Sequence, residues 1–105
     1  MSGVEKVQLK GNDSFSEYKE IIIQYQPVME CALDILTYIV KHKTIVLKAR
    51  GDSIPTAVAV ANVVVENMLK GNSKILDIVV DSEDFEGKYG ATLISTIKII
   101  LTKTN

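Results

Sequence analysis

Several things are scarce in this chain, and each scarcity removes a class of function. Cys31 is the only cysteine, so no intrachain disulfide can form and a reducing compartment is expected. His42 is the only histidine, which with one cysteine falls short of a closed metal site. No metal and no cofactor are expected. Gly51 stands alone in its stretch, so there is no glycine-rich phosphate loop. Tryptophan is absent, and no apolar run approaches the ~18–20 residues that a membrane span needs. The opening "MSGVEKVQLKGNDSFSEYK" is polar and does not read as a signal peptide. A formal net charge of −1 gives no global basic field. These features predict a soluble cytoplasmic protein without a membrane partner.

What is present suits a single compact domain. The 105 residues are 47% apolar and 24% charged, a balance that supports a core. Residues 1–18 read as a flexible N-terminal arm, with turn chemistry at Gly11-Asn12-Asp13-Ser14. The domain proper spans 19–105.

"EIIIQ" (20–24) reads as a strand, central or covered on both faces because Ile21 to Ile23 are consecutive. Pro27 opens a helix over 27–41, with Glu30, Asp34, Thr37 and Lys41 as its polar stripe. Lys41, His42 and Lys43 suit the negative end of that helix. "TIVLKAR" (44–50) is a strand by its β-branched content. Ser53 is the expected N-cap of a second helix running to about Leu69, ended by Gly71-Asn72. "KILDIVVD" (74–81) alternates, with Leu76, Ile78 and Val80 opposite Asp77 and Asp81. "SEDFEGKYGA" (82–91) reads as a mobile tip, and "TLISTIKIILTK" (92–103) as the closing strand of a hairpin.

The order β-α-β-α-β-β predicts an α/β two-layer fold: two helices on one face of a four-stranded mixed sheet. The second helix is apolar around nearly its whole circumference. Val60, Val64 and Met68 are the expected surplus, placed in a dimer interface.

The stretch "LKARGDSIPTAV" (47–58) is open to three readings. Arg50-Gly51-Asp52 matches an adhesion tripeptide, but that reading needs export and an exposed flexible loop. Gly51-Asp52-Ser53 matches the opening of a serine esterase class, but Ser53 would need His42 as its base, from the end of another helix. Catalytic residues are therefore not expected. The third reading is a strand end that presents Lys48 and Arg50 on one face.

Several separated segments carry a resemblance. They are Pro27-Val28-Met29, Lys48-Ala49-Arg50-Gly51, Ile54 with Ala57-Val58, and "ISTIKI" at 94–99. Over about residues 20–103 the chain resembles the Alba family of small archaeal chromatin and RNA-binding proteins. That resemblance implies a dimer, nucleoid-associated in the cytoplasm, binding DNA or RNA largely through phosphates. It places the contacts at Lys48, Arg50 and Gly51, at Tyr25 and Gln26 before the first helix, and at Lys88 and Tyr89 in the hairpin. Phe85 is a further ring available for stacking.

The chain departs from the family pattern at Tyr25-Gln26, where lysines are usual, and at Asp52 and Thr56, where basic residues are common. The hairpin carries Asp81, Glu83, Asp84 and Glu86 against Lys88. Reduced affinity is the expectation. The rival expectation is an acidic paralogue that does not bind, and instead pairs with a basic Alba protein and tunes its packing on DNA.

Overall fold

A computed structural model describes residues 18–88 and 90–104. The expected arm therefore lies outside the described residues, except for Tyr18. The elements run β1 (Tyr18–Ile22), α1 (Val28–His42), β2 (Thr44–Arg50), a 3₁₀ turn (Gly51–Ser53), α2 (Ile54–Val63), a π turn (Val64–Met68), β3 (Ser73–Gly87) and β4 (Gly90–Lys103).

The sheet order is β1-β2-β4-β3, with β1 parallel to β2 and the other pairings antiparallel. Helix α1 is the crossover that the parallel pair requires. Alternation along β2 and β4 divides the sheet. Ile45, Leu47 and Ala49 pair with Leu101, Ile99 and Ile97 and face inward. Ala32, Ile35 and Ile39 of α1 and Ala57, Val60 and Ala61 of α2 join them in one core. Both helices thus lie on the same face, and among the described residues no further layer covers the opposite face.

Local chemistry differs from expectation at several places. β1 begins at Tyr18 rather than at residue 20 and is an edge strand, neither central nor covered on both faces. Only Ile21 and Ile23 turn toward the core, and Ile22 on the open face is 70% exposed. Pro27 is the extended N-cap of α1, its carbonyl accepting from the Cys31 N–H at 3.1 Å. Ser53 makes no side-chain cap, because the 3₁₀ turn has already started the helical path at Gly51.

Gly51 takes φ +55, a left-handed conformation that disfavours any residue with a Cβ. The π turn closes with the Leu69 N–H donating to the Val64 carbonyl at 2.8 Å, and Gly71 at φ +81 follows it.

The expected placement of Val60 and Val64 in a dimer interface is corrected. Val60 and Val64 are 0% exposed inside the protomer's own core, and Met68 is half-buried against it. α2 turns one side to the sheet and another to α1, so most of its apolar circumference is consumed within one chain, with Val58 left 40% exposed. Cys31 is also buried. Desolvation first, and then the nearby Asp34 charge, raise its pKa above the usual thiol value, which keeps it protonated and unreactive.

The mobile tip is also corrected. Residues 82–87 and 90–91 are paired strand, and from Asp77 outward the β3–β4 ladder keeps one register to Gly87↔Gly90. A bulge between Ile75 and Asp77 leaves Leu76 unpaired, so Leu76 drops out of the alternation that Ile78 and Val80 keep. The hairpin beyond Asp81 extends past the helices as an arm, and the molecule measures 48 × 33 × 19 Å.

Candidate nucleic-acid interface

The exposed sheet face gathers side chains from all four strands. Register places Ile22, Lys48, Lys98 and Val79 side by side in one row. The next row holds Arg50, Thr96 and Asp81, and beyond it Ile94 and Glu83. Lys48 and Arg50 reach this face because Leu47 and Ala49 between them are locked into the core. A concavity of about 610 Å³ lies here. Its lining includes Ile22, Lys48, Arg50, Val79, Glu83 and Lys98.

Both expected cations have intrachain carboxylate partners. Lys48 Nζ stands 3.8 Å from Glu20 Oε1 on the neighbouring strand. Arg50 stretches across β4 and donates from Nη1 to Glu83 Oε1 at 3.1 Å. All four side chains are about half-exposed, so each pair is worth roughly 0–1 kcal/mol and is open to competition from a phosphate. Lys98, by contrast, has no carboxylate within ion-pair distance among the described residues. It sits directly opposite Lys48 on the same face. Like charges in that position are destabilising.

The other expected residues occupy different places. Tyr25 is 86% exposed in the loop between β1 and α1. The Gln26 side-chain oxygen accepts from the Gln24 N–H at 3.1 Å, bracing that loop. Tyr25, Gln26 and Thr56 line a second, smaller concavity of about 410 Å³. Lys88 is exposed at the hairpin turn, six β4 residues beyond the Arg50–Thr96 pair. At about 3.4 Å per residue that is roughly 20 Å away, so Lys88 does not join the Lys48–Arg50 cluster. Tyr89 lies outside the described residues. The ring of Phe85 leans along its own strand toward Gly87.

Ser53 and His42 sit at opposite ends of β2, a separation of roughly 20 Å, which removes the esterase arrangement. Among the described residues no three His, Cys, Asp or Glu side chains stand close enough to share a metal ion. No described helix is long and apolar enough to cross a membrane.

Comparison with known proteins decides the family. The Alba family model matches residues 19–82, which run from within β1 to the start of the arm. The chain is a member of the Alba family. The DNA/RNA-binding protein Alba of Picrophilus torridus is 32% identical over 90 residues, 84% of this chain and 99% of that protein. DNA/RNA-binding protein Alba 1 of Archaeoglobus fulgidus is 34% identical over 84 residues, 79% of this chain and 93% of that one. Among solved structures, Alba from Thermoplasma volcanium superposes with a TM-score of 0.70 at 30% identity, covering 79% of this chain and 98% of that chain. The two curated relatives carry names of binding proteins rather than of enzymes.

Sequence reasoning missed Lys98 and Glu20, and it named Glu83 only as an acidic residue of the hairpin, not as the partner of Arg50. Lys98 carried a legible signal: a lysine set between Ile97 and Ile99 in an alternating strand must face away from the core. The Arg50–Glu83 pair carried none, because it joins residues 33 positions apart through a register that only the folded sheet defines.

Proposed function

We propose that this Alba-family chain binds DNA or RNA largely without regard to sequence, with affinity below that of a more basic surface. The observation that supports this reading is the cation group Lys48, Arg50 and Lys98 on one uncovered sheet face. The low affinity follows from the carboxylates of Glu20 and Glu83, which a phosphate must displace. Phosphate contacts carry little sequence information, so mutations here should act uniformly on all sequences.

Arg50→Ala, and separately Lys48→Ala, should weaken binding of every oligonucleotide by a similar factor. Each should reduce the log–log salt slope by up to about 0.9 on duplex DNA. Fluorescence anisotropy titrations at several salt concentrations measure both quantities. Unchanged affinity and slope in both variants would remove this face from the binding surface.

The reading includes a dimer, but not through the side of α2 first expected. Ile78, Val80 and Leu93 lie on the helix side of the hairpin yet extend beyond the helices, with Val80 71% exposed. A second copy of the chain is the proposed cover for this apolar strip. Val80→Lys should convert a dimer to a monomer in light scattering at micromolar concentration without changing the circular dichroism spectrum. A wild-type monomer under those conditions ends the idea.

A second reading has its own observation. The arm displays Asp81, Glu83, Asp84 and Glu86 on exposed strand, an acidic surface that a basic Alba protein would complement. In that case the chain alone binds no oligonucleotide, and it co-purifies with the basic partner in a one-to-one pair.

A further inference from the structure

We infer that the open sheet face is a single-strand site, taking an unpaired nucleotide segment in preference to a duplex. This rests on the nucleic-acid reading above and adds the form of the ligand. The central observation is the row Ile22–Lys48–Lys98–Val79, one residue from each strand in sheet order, all on the uncovered face.

The middle of the row is two lysines directly opposed across β2 and β4. Such a pair costs stability unless anions stand near the ammonium groups: Lys48 has Glu20 at 3.8 Å, whereas Lys98 lacks any carboxylate partner among the described residues. A single phosphate bound between them would relieve that repulsion. The two ends of the row are aliphatic, and both Ile22 and Val79 are exposed on their edge strands. Phosphates gain nothing from aliphatic contact. The flat face of an unpaired base does, because stacking it on a side chain removes apolar surface from water.

A duplex keeps its base faces stacked inside and offers this row only sugar and phosphate. A single strand turns its bases outward and can use lysines and aliphatics together, as other sheet-surface binders do. The concavity of about 610 Å³ falls within the roughly 300–1,000 Å³ that ordinary ligands fill, enough for a short segment rather than the side of a double helix.

The remaining lining has a role in the same picture. Asp81 and Glu83 stand beside the row, Asp81 Oδ1 accepting from the Ser82 N–H and Glu83 Oε1 from Arg50, and the second oxygen of each remains as an acceptor. They repel phosphate, yet they accept from the exocyclic amino groups of cytosine or adenine. In a duplex one hydrogen of each such group is already committed to base pairing. Cations, acceptors and aliphatic surface within one concavity match an unpaired nucleotide, whereas a phosphate ridge would match cations alone.

The test uses the full chain and one twelve-nucleotide strand without self-complementarity, fluorescently labelled, free or annealed to its complement. At fixed low salt the free strand should bind tighter by about tenfold, the ratio that ~1.4 kcal/mol produces. The double variant Ile22→Ser with Val79→Ser should abolish most of that preference, weakening the free strand several-fold more than the duplex. Both side chains are exposed, so the fold tolerates the change, and a thermal melt checks it. Lys98→Gln should weaken the free strand independently, without altering the apolar contacts.

Equal or tighter binding of the duplex by the wild-type chain overturns the inference and leaves nucleic-acid binding standing. So does a serine variant that weakens strand and duplex alike. Failure of both probes to bind overturns the parent reading itself, and this inference with it.

Discussion

Val64→Lys is expected to unfold the protein. Val64 has no exposed surface and packs in the core with Val60 and Ala61. A lysine there must either bury its ammonium group without a partner or force the π turn away from the sheet. Penalties of this kind are on the order of 4 kcal/mol or more, a large share of what holds a domain of this size together. The melting temperature should fall by about 4–8 °C for each kcal/mol lost.

Val58→Lys is the control. It lies on the same helix at 40% exposure and its lysine can reach water, so its effect should be small. Thermal unfolding followed by circular dichroism separates the two. If Val64→Lys melts with the parent but changes only the oligomeric state, Val64 is an interface residue and the core described above is wrong.

Glu83→Lys has the second largest expected effect, on binding rather than folding. The substitution releases Arg50 from its 3.1 Å partner and puts a further cation beside it. Two more phosphate contacts should steepen the log–log salt dependence by up to about 1.8 on duplex DNA. Between 50 and 200 mM salt the variant's advantage over the parent should therefore shrink by about tenfold. Stability should change little, since both members of the pair are exposed. Parent and variant binding with one affinity and one slope would show that the pair is remote from the nucleic acid.

These two sites also show where the sequence was readable and where it was not. β2 was legible to the residue, because Thr44 to Arg50 has β-branched content, a helix end before it and Gly51 after it. The helix-on-one-face architecture followed from apolar periodicity. The inward side of α2 did not. A helix that is apolar all round has no pattern to show which side meets the sheet, and the surplus was assigned to a partner when α1 was the neighbour. β1 misled in a similar way. Three consecutive isoleucines look doubly covered, yet the middle one faces water on an edge strand.

The arm was misread because its glycines and acidic residues resemble loop composition. Cross-strand hydrogen bonding carries the ladder through them regardless, out to Gly87 and Gly90. In the binding face, Lys48 and Arg50 were visible as an alternating pair. Their carboxylate partners depend on sheet order and register, and no local pattern encodes those.

The arm's isolation from the core also bears on how such a protein can change over generations. Its outer residues stand on exposed strand with no helix behind them, so most substitutions there leave folding free energy almost untouched. The charge of the arm is therefore a separable module. A lineage can pass from basic to acidic through many viable intermediates, altering what the molecule meets while the body keeps folding as before.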